Sequence, residues 1–188
     1  SKCSIVIGRD ARISGAMGQA LVSNTLVGMG INVIDLDMAT TPTVEMVVPR
    51  ANAQGGIILT ASHNPKQWNA LKLLDANGEF LNAEAGAQIL ALAENESFNF
   101  ASVDDLGSVT PDNTGLDMHI QAVLNHPLVD VESIRKSGLK VVVDGVNSIG
   151  GIAIPTLLKE LNIEVVELFC EPNGHFPHNP EPLKEHLG

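Results

Sequence analysis

Apolar and polar residues fall in blocks along the 188-residue chain, and the blocks predict alternating strands and helices. Ile5-Val6-Ile7 is a short continuous apolar run, the pattern of a strand buried on both faces. A loop follows from Gly8 to Gly15, and Ser14 is placed to cap a helix that runs to about Met29 and ends at Gly30. No charged residue occurs between Arg12 and Asp35, so this helix is expected to be buried on more than one side. Residues 31–36 read as a second strand. Thr41 is set to cap the next helix, with Pro42 in its first position and Pro49 to bend or end it. The run 55–59 is a third strand. Strands and helices alternating at this spacing predict an α/β layer with largely parallel strands. The runs 70–74 and 79–81 flank Asn77-Gly78, a hairpin signal that makes the sheet mixed, and Asn82 caps a helix through about Glu94.

From about 96 to 115 the chain turns rich in Ser, Asp, Gly and Asn, the composition of a connector. Helical segments follow at 116–125 and 127–136, then a strand at 139–144, a loop at 145–151, a helix at about 152–161 and a strand at 163–169. The tail is loop, with a helix expected to begin at Leu183. The strand–loop–helix–strand plan of residues 3–36 thus recurs at 139–170, which suggests a repeat. The expected fold class is α/β: a mixed, mainly parallel sheet sandwiched between helices, followed by the start of a second similar α/β domain. We divide it as 1–98 for the first domain, 99–138 for a connector with linking helices, and 139–188 for a truncated second domain. The chain enters a strand almost at once and shows no signal-peptide layout, as expected of a piece of a longer protein.

Composition narrows the classes of function. With 44% hydrophobic and 18% charged residues, the chain is globular rather than disordered. No apolar run approaches the roughly 20 residues of a membrane span, so no membrane partner is expected. A formal charge of -11 argues against a nucleic-acid surface. It leaves room for an anionic ligand held by a few Arg, Lys or backbone N–H groups. Cys3 and Cys170, far apart in sequence, read as reduced core thiols in a cytoplasmic protein.

The candidate chemistry centres on Thr60-Ala61-Ser62-His63-Asn64-Pro65, where the buried run 55–59 stops. A serine, a histidine and an asparagine on a tight turn at a strand end form either an ordinary turn or a site on a rigid support. Neighbouring side chains on a strand point to opposite faces, so adjacency alone does not make Ser62 and His63 a nucleophile–base pair. The Gly-x-Ser-x-Gly elbow of hydrolases is absent, because Ala61 and His63 flank Ser62. The Walker pattern is absent from 145–151, and Gly28-Met29-Gly30 lacks the third glycine of a dinucleotide site. Lys72, between Leu71 and Leu73, is either a solvent-facing strand lysine or one brought beside Ser62 to meet phosphate or move a proton. Arg9 and Arg12 follow the first strand at the sheet edge where α/β folds bind ligands, or are paired with Asp10 or Asp35. His119 and His126 lack ligand-type spacing and read as surface or capping residues. His175 and His178 form a metal pair or, with Pro177 and Pro180, part of a rigid turn.

Gly8-Arg9-Asp10-Ala11-Arg12-Ile13-Ser14-Gly15, the run from Thr60 to Pro65 and the trailing Asn69-Ala70-Leu71-Lys72 together resemble the α-D-phosphohexomutase superfamily. That superfamily includes phosphoglucomutases, phosphomannomutases and phosphoglucosamine mutases. Val141-Val142-Val143-Asp144-Gly145 is similar to the start of its second domain, and residues 174–182 are similar to its Phe-Pro loop. The resemblance implies that Ser62 is phosphorylated and gives its phosphoryl group to a hexose phosphate through a bisphosphate intermediate. It implies Mg²⁺ as cofactor, with the Ser62 phosphate as one ligand and the others in an Asp-rich loop absent from these residues. It makes Lys72 the general acid/base, has His63 and Asn64 shape the loop and meet phosphate or substrate, and places Arg9 and Arg12 near the phosphoserine. The expected partners are a hexose phosphate and the remaining domains of the same chain. Two departures stand out: Ala70 replaces the usual Gly, and the family's strand before the Gly-Arg-Asp motif is missing. A non-catalytic α/β domain that binds a phosphorylated ligand or partner through the same loops is the alternative.

Overall fold

The computed structural model describes residues 2–96 and 98–186. Residue 1 and residues 97 and 187–188, which the domain expectations include, therefore lie outside the described residues. The first unit runs β1 (Ser4–Arg9), α1 (Gly15–Gly28), β2 (Asn32–Met38), α2 (Thr41–Arg50), β3 (Gly55–Leu59), β4 (Leu71–Leu74) and α3 (Ala83–Glu94). The chain continues through β5 (Val109–Pro111), α4 (Gly115–Leu124), α5 (Val131–Lys136), β6 (Lys140–Asp144), α6 (Gly150–Glu160) and β7 (Glu164–Leu168). Among the described residues there are two sheets, a five-stranded one ordered β4-β3-β1-β2-β5 and the pair β6-β7. The first is parallel except for β4, which runs antiparallel to β3 with Lys72 opposite Ile58. The sheet is therefore mixed and mainly parallel, and a small parallel sheet follows it.

The central strands are buried on both faces, which is why they read as unbroken apolar runs. Alternation sends successive residues to opposite layers. Val6 and Ile58 pack under α2 with Val44, Val47, Val48, Leu36 and Leu74. Ile7, Val33 and Leu59 pack against Val22, Leu26 and Val27 of α1 on the other face. The carboxyl ends of β1 and β3 come out side by side, with Arg9 paired to Leu59. That register brings the Gly8–Gly15 loop against the Ser62 loop.

Several expectations change. Ser14 sits at the helix N-cap but makes no side-chain capping bond, and its Oγ instead accepts from Asn69 Nδ2 at 3.0 Å. Helix α2 begins one residue early, and Thr40 rather than Thr41 caps it by accepting from the Thr43 N–H. Helix α1 is not buried on several sides. Its fully buried residues, Gly15, Gln19 and Ser23, form one stripe, while Met17 and Leu21 are exposed. A helix layered on a sheet needs one buried stripe, and lack of charge does not supply a second neighbour. The hairpin survives as a single bridge between Leu74 and Phe80, so the antiparallel pairing of the sheet comes from β4 with β3. Within the stretch read as connector, β5 pairs parallel with β2 and widens the first sheet. The segment 127–136 is helical only over α5, capped by the Asp130 carboxylate accepting from the Ser133 N–H. The tail ends in a short 3₁₀ turn at Lys184–His186. The two thiols are free but do not belong to the core, since Cys3 is exposed and Cys170 half-buried. His119, expected as a surface or capping residue, is only partly exposed. It is half-buried, hydrogen-bonded through Nδ1 to Thr43 Oγ1 at 2.9 Å, and burial holds its pKa below 6.5. No described helix is long and apolar enough to cross a membrane.

Ile58 has no exposed surface and stands at the centre of the layer under α2. Ile58→Ala is expected to lower unfolding stability by about 2–5 kcal/mol, and Ile58→Val by about 0.5–1.5 kcal/mol. Urea titrations followed by circular dichroism check both.

Candidate active site

The Ser62 loop leaves β3 at Thr60 and returns to the sheet at Ala70, where the Thr60 N–H donates to the Ala70 carbonyl at 3.0 Å. Ala70 has no positive φ, so alanine stands there without backbone strain. Ser62 does have one, at 55°. This left-handed residue breaks the alternation of the strand before it. As a result the Ser62 Oγ lies 3.4 Å from His63 Nδ1, so the two side chains meet although strand geometry would have separated them. Both residues are exposed, as is Asn64, whose Nδ2 donates back to the Ala61 carbonyl at 2.9 Å.

Beneath the loop lies a buried polar network. The Thr60 hydroxyl donates to Asp10 Oδ2 at 2.7 Å and accepts from the Ser62 N–H at 3.1 Å. Asp10 also accepts from the Arg12 backbone N–H and from Arg12 Nε, at 2.9 and 3.0 Å. Arg12 is 1% exposed. Its Nη1 donates to the Pro65 and Trp68 carbonyls, both at 2.9 Å, and its Nη2 to the Ser62 and Asn64 carbonyls at 3.0 and 2.8 Å. A guanidinium has five N–H groups, and these contacts use all five. Arg12 therefore holds the loop from below through its backbone.

Arg9 is set differently. Its Nε donates to Gln19 Oε1 at 2.8 Å, its Nη1 to the Asp10 carbonyl at 3.2 Å, and its Nη2 to Asp37 Oδ1 at 2.6 Å. Gln19 in turn donates to Asp35. Arg9 thus ties β1 to α1 and β2, and among the described residues it hydrogen-bonds no atom of the Ser62 loop. Lys72 is half-buried, and its ammonium lies 5.7 Å from the centre of the Phe80 ring. It too makes no hydrogen bond to Ser62 among the described residues. Structure thus brings Ser62, His63, Asn64 and Arg12 into one loop assembly and leaves Arg9 and Lys72 at its margins.

Sequence reasoning offered Asp10 as a partner for Arg9 or Arg12, which the Arg12–Asp10 pair fulfils, but it gave Asp10, Thr60 and Phe176 no part in holding the site. Asp10 carried a signal, a carboxylate directly after a strand buried on both faces and two residues before an arginine. Phe176 had none that could place it, since its contact spans 164 residues. Its ring covers the Arg12 guanidinium at 5.1 Å. The loop that carries it continues to His178, whose Nε2 is 2.8 Å from Asp144 Oδ2 at the end of β6. Hydrogen bonding to the Asn179 carbonyl and to Asp144 raises the His178 pKa above 6.5. These contacts tie His178 to the end of β6, and no group of three or more metal-ligating side chains gathers among the described residues.

Comparison with known proteins decides the family. Residues 1–100 match "Phosphoglucomutase/phosphomannomutase, alpha/beta/alpha domain I", and residues 117–188 match domain II of the same family. The chain belongs to the phosphoglucomutase/phosphomannomutase family. A phosphoglucomutase/phosphomannomutase of Thermococcus kodakarensis is 40% identical over 184 residues, covering 97% of this chain and 40% of that protein. A phosphoglucosamine/phosphogalactosamine mutase of Sulfurisphaera tokodaii is 31% identical, again over 97% of this chain and 40% of the relative. A solved structure from Thermus thermophilus superposes with a TM-score of 0.84 at 28% identity, covering all of this chain and 42% of that one. The chain spans about two fifths of the length of the curated relatives it matches.

Arg12→Lys keeps the charge and removes the planar fork. With three donors for five acceptors, at least two charged hydrogen bonds are lost, at about 1.5–3 kcal/mol each. The expected result is a stability loss of about 3 kcal/mol or more, with new protease cutting between residues 62 and 69. Urea midpoints and limited proteolysis measure these. For His178 the folded pKa is raised, so its contribution is complete below the ordinary 6.5 and is lost as pH rises through the raised value. Amide exchange in residues 174–180 is expected to increase as pH is taken from 6 to 9, after correction for intrinsic rates. Asp144→Asn is expected to bring the His178 pKa back toward 6.5, read by NMR titration.

Proposed function

We propose that this chain is the phosphoserine-bearing part of a phosphohexomutase, which interconverts hexose 1-phosphate and hexose 6-phosphate with mannose, glucose or glucosamine as the sugar. The observation that carries this reading is the exposed Ser62 Oγ, raised on a left-handed bend beside His63 and fixed from below by Arg12. A group that gives and takes back a phosphoryl must be open to solvent and substrate while its backbone stays still, because phosphoryl transfer depends on position and electrostatics.

In this reading the Oγ–P bond of phosphorylated Ser62 breaks as a sugar hydroxyl oxygen takes the phosphoryl group, giving a bisphosphate. The reverse step at the other end of the sugar restores the phosphoserine. Ser62 Oγ needs a proton as it leaves and gives one up when it attacks. Lys72 is the residue we assign to that exchange, from the strand that follows the loop. His63 lies close enough to Oγ to orient it, and Asn64 stiffens the turn. Arg12 serves the phosphate through the loop it holds, since its own donors are filled by protein. Arg9 supports the same edge through its ion pair with Asp37.

Magnesium ion suits this chemistry because it offsets the charge of the phosphoryl group in flight. The residues present supply one oxygen for it, on phosphorylated Ser62. Among the described residues no set of three His, Cys, Asp or Glu converges. The sugar-reading groups, like the remaining ligands, are assigned to the rest of a longer protein.

The test is intact-mass spectrometry of the longer protein that carries this chain, prepared as wild type and as Ser62→Ala. A phosphate adduct of about 80 Da is expected on the wild type alone, together with hexose-phosphate mutase activity that Ser62→Ala reduces by about a thousandfold or more. An adduct that persisted after the substitution would remove Ser62 as the carrier.

A further inference from the structure

We propose that Phe176 is a positioning residue for the Ser62 loop, acting through Arg12, so that the domain II segment clamps the serine-bearing loop of domain I. The significance for turnover rests on the reading of Ser62 as phosphoryl carrier, whereas the clamp itself rests on geometry.

Arg12 uses its five in-plane N–H groups on protein acceptors, four of them on carbonyls of the Ser62 loop. What remains is the flat face of the cation, and hydration of that face would draw water toward the same carbonyls. The Phe176 ring covers it at 5.1 Å, a distance at which the ring quadrupole attracts a guanidinium. Burial completes the arrangement: the Arg12 side chain has no exposed surface.

The segment that delivers Phe176 is itself anchored to both units. Gly174 has φ 74°, and a Cβ placed there would lie 2.1 Å from the Ala11 carbonyl oxygen. Only glycine lets this backbone press against the residue next to Arg12. The Gly174 N–H donates to the Asn147 carbonyl at 3.0 Å, and Asn147 Nδ2 donates to the His175 carbonyl at 2.9 Å. Ser148 Oγ accepts from the Ala11 N–H at a long 3.4 Å. Val146 and Asn147, which lead into these contacts, both have left-handed backbones, at 48° and 49°. For a β-branched valine that is an outlier, and strain of this kind persists where surrounding contacts over-determine it. Three features thus converge on Ala11 and Arg12: a glycine with no room for a side chain, a strained turn and an aromatic cover.

The experiment is amide exchange of residues 61–69 in the 188-residue chain, read by mass spectrometry for wild type, Phe176→Leu, Phe176→Tyr and Gly174→Ala. Loss of the aromatic face is expected to speed exchange in this loop by about threefold to tenfold. Phe176→Leu fills much of the space without a π face and should show that increase. Gly174→Ala should show it as well, by lifting the segment off Ala11. Phe176→Tyr should keep wild-type rates, and exchange in β1 and β3 should stay unchanged in all four proteins. Wild-type loop rates in Phe176→Leu would overturn the proposal, and so would Phe176→Tyr behaving like Phe176→Leu or the sheet loosening together with the loop. In the longer protein, Phe176→Leu should lower kcat and leave KM within about twofold, as expected when an interaction serves the transition state. If Ser62 proves to carry no phosphate, the mutase reading fails on that result, while the exchange rates still decide the clamp.

Discussion

One buried cation sets the terms for the site. Arg12 has no exposed side-chain surface, and its charge is tolerated because Asp10 and four carbonyls complete its hydrogen bonds. Taking such a charge out of water costs several kcal/mol, offset only when partners and geometry are complete. Each acceptor is therefore bound to the others, since losing one leaves a buried donor unsatisfied. The loop between Thr60 and Ala70 has little apolar packing of its own, with Trp68 exposed within it and Leu71 exposed just after it. Its shape comes from the guanidinium beneath it and not from a core. The network holds the loop in one conformation, which is what the proposed role of Ser62 as phosphoryl carrier requires.

That dependence explains how the site stands open and yet is ordered. Ser62, His63 and Asn64 are exposed, while Thr60, Asp10 and Arg12 below them are buried. The upper layer is free to meet a ligand, and the lower layer is closed to water. Positive charge at the sheet edge comes from Arg9 and Arg12, but both are matched by carboxylates, Asp37 and Asp10. In a chain of charge -11, the proposed phosphate would have to be held by local donors rather than drawn in by a broad basic field.

Much of the fold was legible from periodicity because the central strands are buried on both faces. Ile5-Val6-Ile7 and 55–59 read as strands for the same reason that Val6 and Ile58 pack to one side while Ile7 and Leu59 pack to the other. Strand β5 was not legible: its three residues are exposed and sit in a polar stretch, and only backbone pairing to β2 makes them a strand. The burial of α1 was misread because an uncharged helix looks the same in sequence whether or not a second neighbour covers it. Within the site, Ser62 stood out because small polar residues at the end of a buried strand are conspicuous. The clamp on Arg12 was invisible, because Phe176 lies far along the chain, beyond β2 to β7, and no local pattern encodes a contact of that span. The meeting of Ser62 with His63 depended on a single dihedral, which sequence spacing does not report.

That dihedral has a further consequence. At 55°, Ser62 occupies a backbone well that costs an L-residue about 1–2 kcal/mol and costs glycine almost nothing. The most comfortable residue for this bend is the one that lacks the hydroxyl. Stability and chemistry therefore pull in opposite directions at one atom. A selection for thermal resistance alone would drift toward glycine there and return a sturdier protein without the hydroxyl that the proposed function needs, so a stabilised variant of this chain should be judged by what stands at position 62 before its melting temperature.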